Sequence, residues 1–307
     1  MNVLFLIVYQ VILPVFALIG VGAFLHRKFS FDMNTLSKIT TYFLLPAVSF
    51  VNIYESKMSG QAFIGILGFL VLQNLCLIFI STSIAKVAKF DRALSATFEN
   101  SVVLNNSGNF GLPVSQLVFH ANPLGMSIQV VVSIFQNLLT YTYGLMNAMS
   151  VKSKGTSAVR EMVKNPVIYA FLLGLFMNHF HLQLPSVLWN PVENAAEAFL
   201  AIALITLGAQ SAYLRFEGIS LPLFLSLVGR LLLSPLIAVC IIYVLGLEGT
   251  TAQALLIASS FPSSRNSALF ALEYDNHPEY AAQTVLLSTI LCSITVTIVV
   301  YCAQMFY

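Results

Sequence analysis

Charged side chains are scarce in this chain of 307 residues, since 14 Lys and Arg with 12 Asp and Glu make up 8% of the sequence. A soluble globular domain carries about 25% charged residues and uses them to cover its surface. The hydrophobic fraction is 58% and the mean hydropathy is +0.86. These values exclude a soluble globular protein and predict an all-α polytopic membrane protein, in contact with the lipid bilayer and without room for a soluble enzyme domain.

Motifs of several functional classes are also missing. A net charge of +2 without a basic stripe argues against nucleic acid as a partner. The four cysteines lie in apolar runs without a CxxC pair or a Cys/His ligand spacing, so we interpret them as buried hydrophobes and expect no metal site. No GxxxxGK[ST] motif is present, so an ATP-driven pump would need a partner chain. No Ser/His, paired Asp or HExxH constellation lies at membrane depth, so we expect no enzyme, no catalytic residue and no cofactor.

Apolar windows of helix length predict ten membrane spans, because a crossing needs about 20 apolar residues. The predicted spans are residues 4–25, 35–54, 61–85, 94–119, 125–149, 166–182, 190–213, 219–245, 250–273 and 279–304.

The basic residues indicate the orientation of these spans. Eleven of the 14 fall in odd-numbered loops or at the span ends beside them: Arg27, Lys28, Lys38, Lys86, Lys89, Arg92, Lys152, Lys154, Arg160, Lys164 and Arg215. Lys57 alone lies in an even-numbered loop, and Arg230 and Arg265 lie inside spans. Because cytoplasmic loops are rich in Lys and Arg, we predict a multi-pass protein of the cell membrane with both termini outside.

Two halves of five spans are related in sequence. Residues 105–123 and 260–278 each combine a polar stretch containing proline, a short apolar run, an aromatic residue and a loop proline, at a constant offset of 155. An odd number of spans in each half gives the halves opposite orientations, as in inverted-repeat transporters. We therefore predict a first repeat over residues 1–149, a cytoplasmic connecting loop over 150–165 and a second repeat over 166–307.

The fourth and ninth spans cannot be continuous helices in lipid. Gly and Pro disfavour a helix interior, and freed backbone groups at membrane depth must be buried in protein or face a water-filled cavity. Each span is therefore predicted to be two half-helices around an unwound segment. The breaking residues are Gly108, Gly111 and Pro113 in the fourth span and Pro262 in the ninth.

Half-helix N-termini favour anions, because they present unpaired N–H groups and the positive end of the helix dipole. The polar side chains beside them are the candidate substrate-binding residues: Asn105, Asn106, Ser107, Asn109, Ser263, Ser264, Arg265 and Asn266. The Asn and Ser side chains could instead serve only to satisfy a structural kink. Arg265 could instead pair with a carboxylate such as Glu99, or close a cytoplasmic gate.

Glu99 and Arg230 are candidates for coupling or gating, because an ionisable residue inside a membrane is costly. Glu99 is the carboxylate placed deepest in a span, so it could carry a coupling proton. Arg230 lies near the middle of the eighth span. It could contact substrate, form a structural pair or snorkel toward a headgroup.

At these segments the sequence resembles the auxin efflux carrier family. FALEYDNHPEY at 270–280 is similar to the FAKEYNVHPD stretch of the plant carriers, and NSGNFGLP at 106–113 is similar to their NTLVMGIP. Lys164-Asn165-Pro166 matches their basic-Asn-Pro motif, and Thr206-Leu207-Gly208 stands where they have SLG. The resemblance covers nearly the whole chain and lacks the long central loop of many plant members.

This resemblance implies a ten-helix fold of two inverted repeats, in which a scaffold and a transporter domain meet at crossing, broken helices four and nine. It places Asn106 on the family's substrate-contacting asparagine and Pro113 on its crossover proline. It also implies elevator-like transport of organic anions, with malate, malonate and similar carboxylates associated with short-loop bacterial relatives, and in many cases a homodimer. The chain departs from the plant pattern where Ser267 replaces the second proline of span nine and where Arg265 replaces a small neutral residue.

The sequence therefore predicts a secondary transporter of small organic anions, such as mono- or dicarboxylates, by alternating access around spans four and nine. A channel or receptor on a carrier fold is the alternative, and an intramembrane enzyme is a weaker one. The sequence leaves the coupling ion open between H⁺ and Na⁺. Compared with the plant carriers, the chain has an additional guanidinium at Arg265. This group suits a substrate with a second carboxylate, since Arg binds carboxylates in a bidentate manner.

Overall fold

A computed structural model describes residues 3–56, 60–151, 166–212 and 218–307, and these ranges consist of helices joined by short connections, with no strand. Asn105 and Ser263 form an isolated antiparallel bridge. The predicted connecting loop 150–165 lies outside the described residues beyond its first two, as do Lys164 and Asn165 of the Lys-Asn-Pro motif. The loop residues Lys57 and Arg215 also lie outside them.

Twelve helices occur in the described ranges, and five short π-helical turns lie within or at the start of some of them. The seven helices without a π turn are α3 (Gly60–Val87), α4 (Arg92–Val103), α7 (Pro166–His179), α8 (Ser186–Ser211), α10 (Gly249–Ser259), α11 (Arg265–Tyr274) and α12 (Pro278–Phe306). Four helices have a π turn inside them: α1 (Val3–Ile7, π turn Val8–Ile12, Leu13–Phe29), α2 (Met33–Ile39, π turn Thr40–Leu44, Leu45–Tyr54), α6 (Pro123–Leu139, π turn Thr140–Gly144, Leu145–Met149) and α9 (Leu221–Val228, π turn Gly229–Leu233, Ser234–Leu245). The remaining helix, α5, starts with the π turn Ser107–Gly111 and continues over Leu112–Val118.

Seven helices in the described part of the chain are long and apolar enough to cross a membrane, which makes this a multi-pass membrane protein. They are α1, α2, α3, α6, α8, α9 and α12, and they coincide with seven of the predicted spans. α7 is a shorter apolar helix at the predicted sixth span. In the predicted fourth span the chain forms α4 and α5, and in the predicted ninth span it forms α10 and α11.

The helices form two compact units, and both halves of the chain contribute to each unit. One unit contains the described residues of 1–59, 108–134 and 163–213, and the other contains those of 60–107, 135–162 and 214–307. We call them unit 1 and unit 2.

In unit 1, α1 and α8 cross with their backbones in contact. A Cβ built on Gly22 would overlap the carbonyl group of Ile205, and one built on Gly208 would overlap the carbonyl group of Ile19. Small residues at such crossings let helix backbones approach closely where lipid supplies no hydrophobic driving force. The two glycines therefore fix the distance between α1 and α8.

In unit 2, an apolar cluster surrounds the C-terminal half of α4. Phe98, Val103 and Leu104 are fully buried there and pack with Leu77 of α3. Partly buried residues of α6 and α9 pack against the same cluster. This packing holds the end of α4, where the candidate site begins.

Four of the five π turns are followed by a proline two residues after they end: Pro14, Pro46, Pro113 and Pro235. A proline inside a helix lacks an N–H and its ring clashes with the carbonyl group one turn earlier. A π turn widens the backbone at that turn. These prolines therefore mark local widenings of the helices, and Pro113 lies at the one that opens α5.

Candidate functional site

The chain leaves helical geometry at two polar stretches, and the structure brings these stretches together within unit 2. α4 ends at Val103 and the next turn begins at Ser107, while α10 ends at Ser259 and α11 begins at Arg265. The stretches 104–106 and 260–264 run antiparallel. The Asn106 N–H donates to the Pro262 carbonyl oxygen at 2.9 Å, and the Ser264 N–H donates to the Leu104 carbonyl oxygen at 2.8 Å.

Side chains satisfy several of the backbone groups that the helix ends leave open. The Ser263 hydroxyl donates to the Ser101 carbonyl oxygen at 2.7 Å, and the Asn105 amide donates to the Ala258 carbonyl oxygen at 3.4 Å. The Ser263 N–H donates to the hydroxyl of Ser288 on α12 at 3.1 Å. Because unsatisfied backbone groups are costly at membrane depth, these bonds make the two stretches a stable feature.

Two side-chain atoms at this crossing lack a hydrogen bond within the part of the chain that the structure describes. They are Nδ2 of Asn106, a residue 5% exposed, and Oδ1 of Asn105. A buried polar atom left without a partner costs about 1–3 kcal/mol. The Asn106 nitrogen is therefore a donor available to a ligand or to water.

α11 begins at the crossing, and Ser264 caps it. The Ser264 hydroxyl oxygen accepts a hydrogen bond from the Asn266 N–H at 3.2 Å, and the Ser267 hydroxyl donates to the Ser264 carbonyl oxygen at 2.6 Å. Arg265 is the first residue of the helix and is partly buried. Arg265 thus adds a positively charged side chain to the residue at the positive end of the α11 dipole, and both charges favour an anion.

The predicted helix-breaking residues of the fourth span all belong to unit 1. Ser107 is part of unit 2, whereas Gly108, Asn109, Gly111 and Pro113 are part of unit 1. Ser107, Gly108, Asn109 and Gly111 form the π turn that opens α5, and Pro113 follows it. A Cβ built on Gly108 would lie 3.7 Å from the Ser133 hydroxyl oxygen, within unit 1.

Arg230 lies in the π turn of α9 and contacts the ends of α4 and α10. Its Nη1 donates to the carbonyl oxygens of Val102 at 3.0 Å and of Val103 at 3.4 Å, and its Nη2 donates to that of Ser259 at 2.6 Å. Nη2 also donates to the hydroxyl of Ser234. The side chain is 1% exposed, which fits a structural pairing and does not fit snorkelling.

Glu99 is half-buried on α4 and contacts polar side chains of α6. The Tyr143 hydroxyl donates to Oε2 of Glu99 at 3.1 Å, and Nδ2 of Asn147 lies 3.4 Å from the same oxygen. Asn147 also donates to the Ala96 carbonyl oxygen at 3.1 Å. The carboxyl group can therefore be held in one position in either protonation state.

The loop between α11 and α12 is tied to α4. The Thr97 hydroxyl donates to the Asn276 carbonyl oxygen at 2.7 Å, and Nε2 of His277 lies 3.6 Å from Oδ2 of Asp91. Asp91 caps α4, and the Leu94 N–H that it accepts lowers the pKa of its carboxyl group, with a smaller contribution from His277. These contacts hold α11 against α4.

The family described as membrane transport protein matches residues 7–300. The chain belongs to this family, which includes the auxin efflux carriers.

Three relatives of this membrane transport protein are themselves transporters by name. An uncharacterized transporter of Methanothermobacter thermautotrophicus is 27% identical over 85% of this chain and 85% of its own length. An uncharacterized transporter of Methanocaldococcus jannaschii is 24% identical over 83% of this chain and 84% of its own length. A probable auxin efflux carrier component 5b of Oryza sativa subsp. japonica is 27% identical over 46% of this chain and 40% of its own length.

Sequence reasoning missed several buried polar residues in unit 2 of this transporter. Nε2 of Gln73 donates to the Ser234 hydroxyl oxygen at 3.2 Å, and Nε2 of Gln136 donates to Oδ1 of Asn74 at 3.3 Å. Gln73 and Asn74 interrupt the apolar run of α3, and this interruption was the available signal. Ser288 gave no such signal, because a lone serine in a span can also bond its own helix.

Proposed function

We propose that this membrane transport protein is a secondary transporter of small organic anions such as mono- or dicarboxylates. Substrate binds where residues 104–106 meet residues 260–264, with Asn105, Asn106 and Ser107 from one repeat and Ser263, Ser264, Arg265 and Asn266 from the other. Its chemistry is binding and translocation, not catalysis.

The observation that carries this proposal is the buried Asn106 amide. Its Nδ2 has no hydrogen-bond partner among the described residues, and it lies on a stretch that pairs with the segment leading into α11. A carboxylate oxygen accepts hydrogen bonds and carries negative charge. It would therefore accept a hydrogen bond from Nδ2 of Asn106 and be attracted by the positive end of the α11 dipole.

Arg265 supports a preference for substrates with two carboxylates. It adds a fixed positive charge at the first residue of α11, and guanidinium binds carboxylate in a bidentate manner. One carboxylate bound by Asn106 and a second bound by Arg265 would together select a dicarboxylate over a singly charged acid.

The transport cycle that we propose is elevator-type alternating access. It uses ten transmembrane helices arranged as two inverted repeats, with α4–α5 and α10–α11 as broken crossing helices and both termini outside the cell membrane. Support comes from the matching 105–123 and 260–278 stretches and from the polar interruptions of both spans. A homodimer would give the moving part a fixed partner in the bilayer.

Binding to the purified protein tests the site. We expect malate or malonate to raise the melting temperature of the wild-type protein in detergent, and we expect the rise to be lost in Asn106→Ala. Asn178→Ala is the matched control, because Nδ2 of Asn178 donates to carbonyl oxygens of Tyr54 and Ser56 in unit 1. This variant should be less stable yet keep the ligand-induced rise. An equal rise in Asn106→Ala and wild type would contradict the proposed site.

A further inference from the structure

Arg230 is a buried cation that carbonyl oxygens contact. Within the described ranges no carboxylate lies at ion-pair distance from it, and its partners are the carbonyl oxygens of Val102, Val103 and Ser259 with the Ser234 hydroxyl. Removing a guanidinium from water is costly unless its surroundings compensate for the lost hydration. The compensating groups are therefore the helix ends.

The two helix ends carry the amount of negative charge that the guanidinium requires. α4 and α10 both end at these carbonyl groups, and a helix C-terminus carries about −0.5 of an elementary charge. Two such ends together carry about −1, which one guanidinium neutralises. Without a cation, the negative ends of α4 and α10 would face each other in a region of low dielectric constant.

The local backbone brings Arg230 to this position. Gly229 lets α9 approach α4 closely, because a Cβ built on it would lie 3.1 Å from Cγ2 of Val102. The π turn then directs Arg230 to the carbonyl oxygens, and Ser234 on the next turn donates to the Ser259 carbonyl oxygen at 2.8 Å. Nε2 of Gln73 donates to Ser234 from α3.

We propose that Arg230 is a tethered cation in a carbonyl site at the joined ends of α4 and α10. Removal of the guanidinium would leave a site for a free guanidinium ion or, with weaker binding, for Na⁺. Backbone carbonyl groups at the ends of half-helices are a known type of Na⁺ ligand in transporters. The protein thus supplies from its own chain the positive charge that a bound metal ion would supply. If the proposed transport function is correct, this site places no Na⁺ requirement on transport.

Thermal stability tests the site without relying on transport. Arg230→Ala should lower the melting temperature of the purified protein by several degrees. Guanidinium chloride at tens of millimolar, well below denaturing concentrations, should restore most of that loss. NaCl should restore less, and choline chloride, whose cation is too large, should restore none. Wild-type protein should show no rise with any of the three salts.

Arg27→Ala is the matched control for this rescue. Nε and Nη2 of Arg27 both donate to the single carbonyl oxygen of Ala212 in unit 1, at 2.9 and 2.6 Å. This variant also loses an arginine bonded to a helix end, but among the described residues the carbonyl oxygen that it contacts belongs to one helix end, that of α8. Guanidinium should therefore not restore its stability, and equal rescue of both variants would overturn the proposal.

Arg230→Ser gives a second route if the alanine variant does not fold, because it keeps a small hydroxyl donor, removes the charge and leaves the space of the guanidinium empty. The same guanidinium rescue is expected, and its absence in a folded variant would overturn the proposal. The proposed transport function is judged separately. Wild-type transport that is unchanged when choline replaces Na⁺ supports the tethered cation, whereas an absence of transport alongside guanidinium rescue would count against the function alone.

Discussion

The backbone N–H of Asn106 donates to the carbonyl oxygen of Pro262 at 2.9 Å, although 156 residues separate them in the chain. This bond joins the break between α4 and α5 to the break between α10 and α11. It uses the backbone N–H of Asn106, and the buried side-chain amide keeps a donor without a partner among the described residues. The residue that fixes the crossing is therefore also the residue that offers a hydrogen bond to a ligand.

Asn106→Ala separates these two roles. Alanine keeps the backbone N–H that bonds to Pro262, so the crossing and the folded yield should be retained. The variant loses the amide donor, which should weaken substrate affinity about 10–150-fold, since a hydrogen bond to a charged group contributes about 1.5–3 kcal/mol. Concentration-dependent uptake into proteoliposomes measures this change. Wild-type affinity in a folded variant would remove Asn106 from the binding site.

Substitutions of Arg265 test whether the substrate is recognised through the planar shape of the guanidinium group. Arg265→Ala should reduce transport strongly, and Arg265→Lys should retain part of it, because ammonium supplies the charge but not the bidentate fork. The loss should be larger for malonate than for pyruvate, which has one carboxylate. Full activity of the lysine variant would argue against bidentate recognition.

Substitution of Glu99 tests whether substrate transport is coupled to proton movement. The Tyr143 hydroxyl donates to its carboxylate, and we expect Glu99→Gln to keep the local contacts while losing the ability to bind and release a proton. If Glu99 carries the coupling proton, an imposed pH gradient should drive uptake in wild type and not in Glu99→Gln, while exchange of substrate across the membrane continues. Tyr143→Phe is the control, because it removes the hydrogen bond and keeps the carboxyl group. Uptake by Glu99→Gln that still follows the pH gradient would exclude this role.

The crossing of α1 and α8 predicts a contrast between two glycines of the same helix. Gly22→Ala should destabilise the protein by about 1–3 kcal/mol, the usual range for overpacking, because its Cβ would overlap the Ile205 carbonyl group. A Cβ built on Gly20 would meet no atom within 4 Å, so Gly20→Ala should be neutral or stabilising, by up to about 1 kcal/mol. Melting temperatures in detergent compare the two variants. Equal stability of both would show that α1 and α8 can move apart without loss.

The sequence predicted the long apolar helices well, because lipid requires an apolar run of nearly fixed length. α3 and α12 begin one residue before and end two residues after the predicted spans 61–85 and 279–304. The position of the polar interruptions was also readable, since Asn105 to Pro113 and Ser259 to Ser267 contain residues that lipid-facing helices disfavour.

The partners of individual side chains were not readable from sequence. Arg230 appears there as a charge in an apolar run, and its contact with Val102, 128 residues away, depends on how α9 packs against α4. The antiparallel register of Asn105 with Ser263 likewise depends on where two separate helices end. Such long-range pairings follow from packing, which local patterns do not encode.

Counterflow in proteoliposomes tests the central claim most directly. Vesicles loaded with unlabelled malate, malonate, pyruvate or indole-3-acetate would be diluted into a trace of the same labelled anion, with wild-type protein, Asn106→Ala and protein-free vesicles in parallel. We expect labelled dicarboxylate to accumulate transiently with wild type and weakly with Asn106→Ala, because only a carrier exchanges substrate through an alternating site. Folded wild-type protein that accumulates none of the four anions would contradict the account of this protein as an organic-anion carrier.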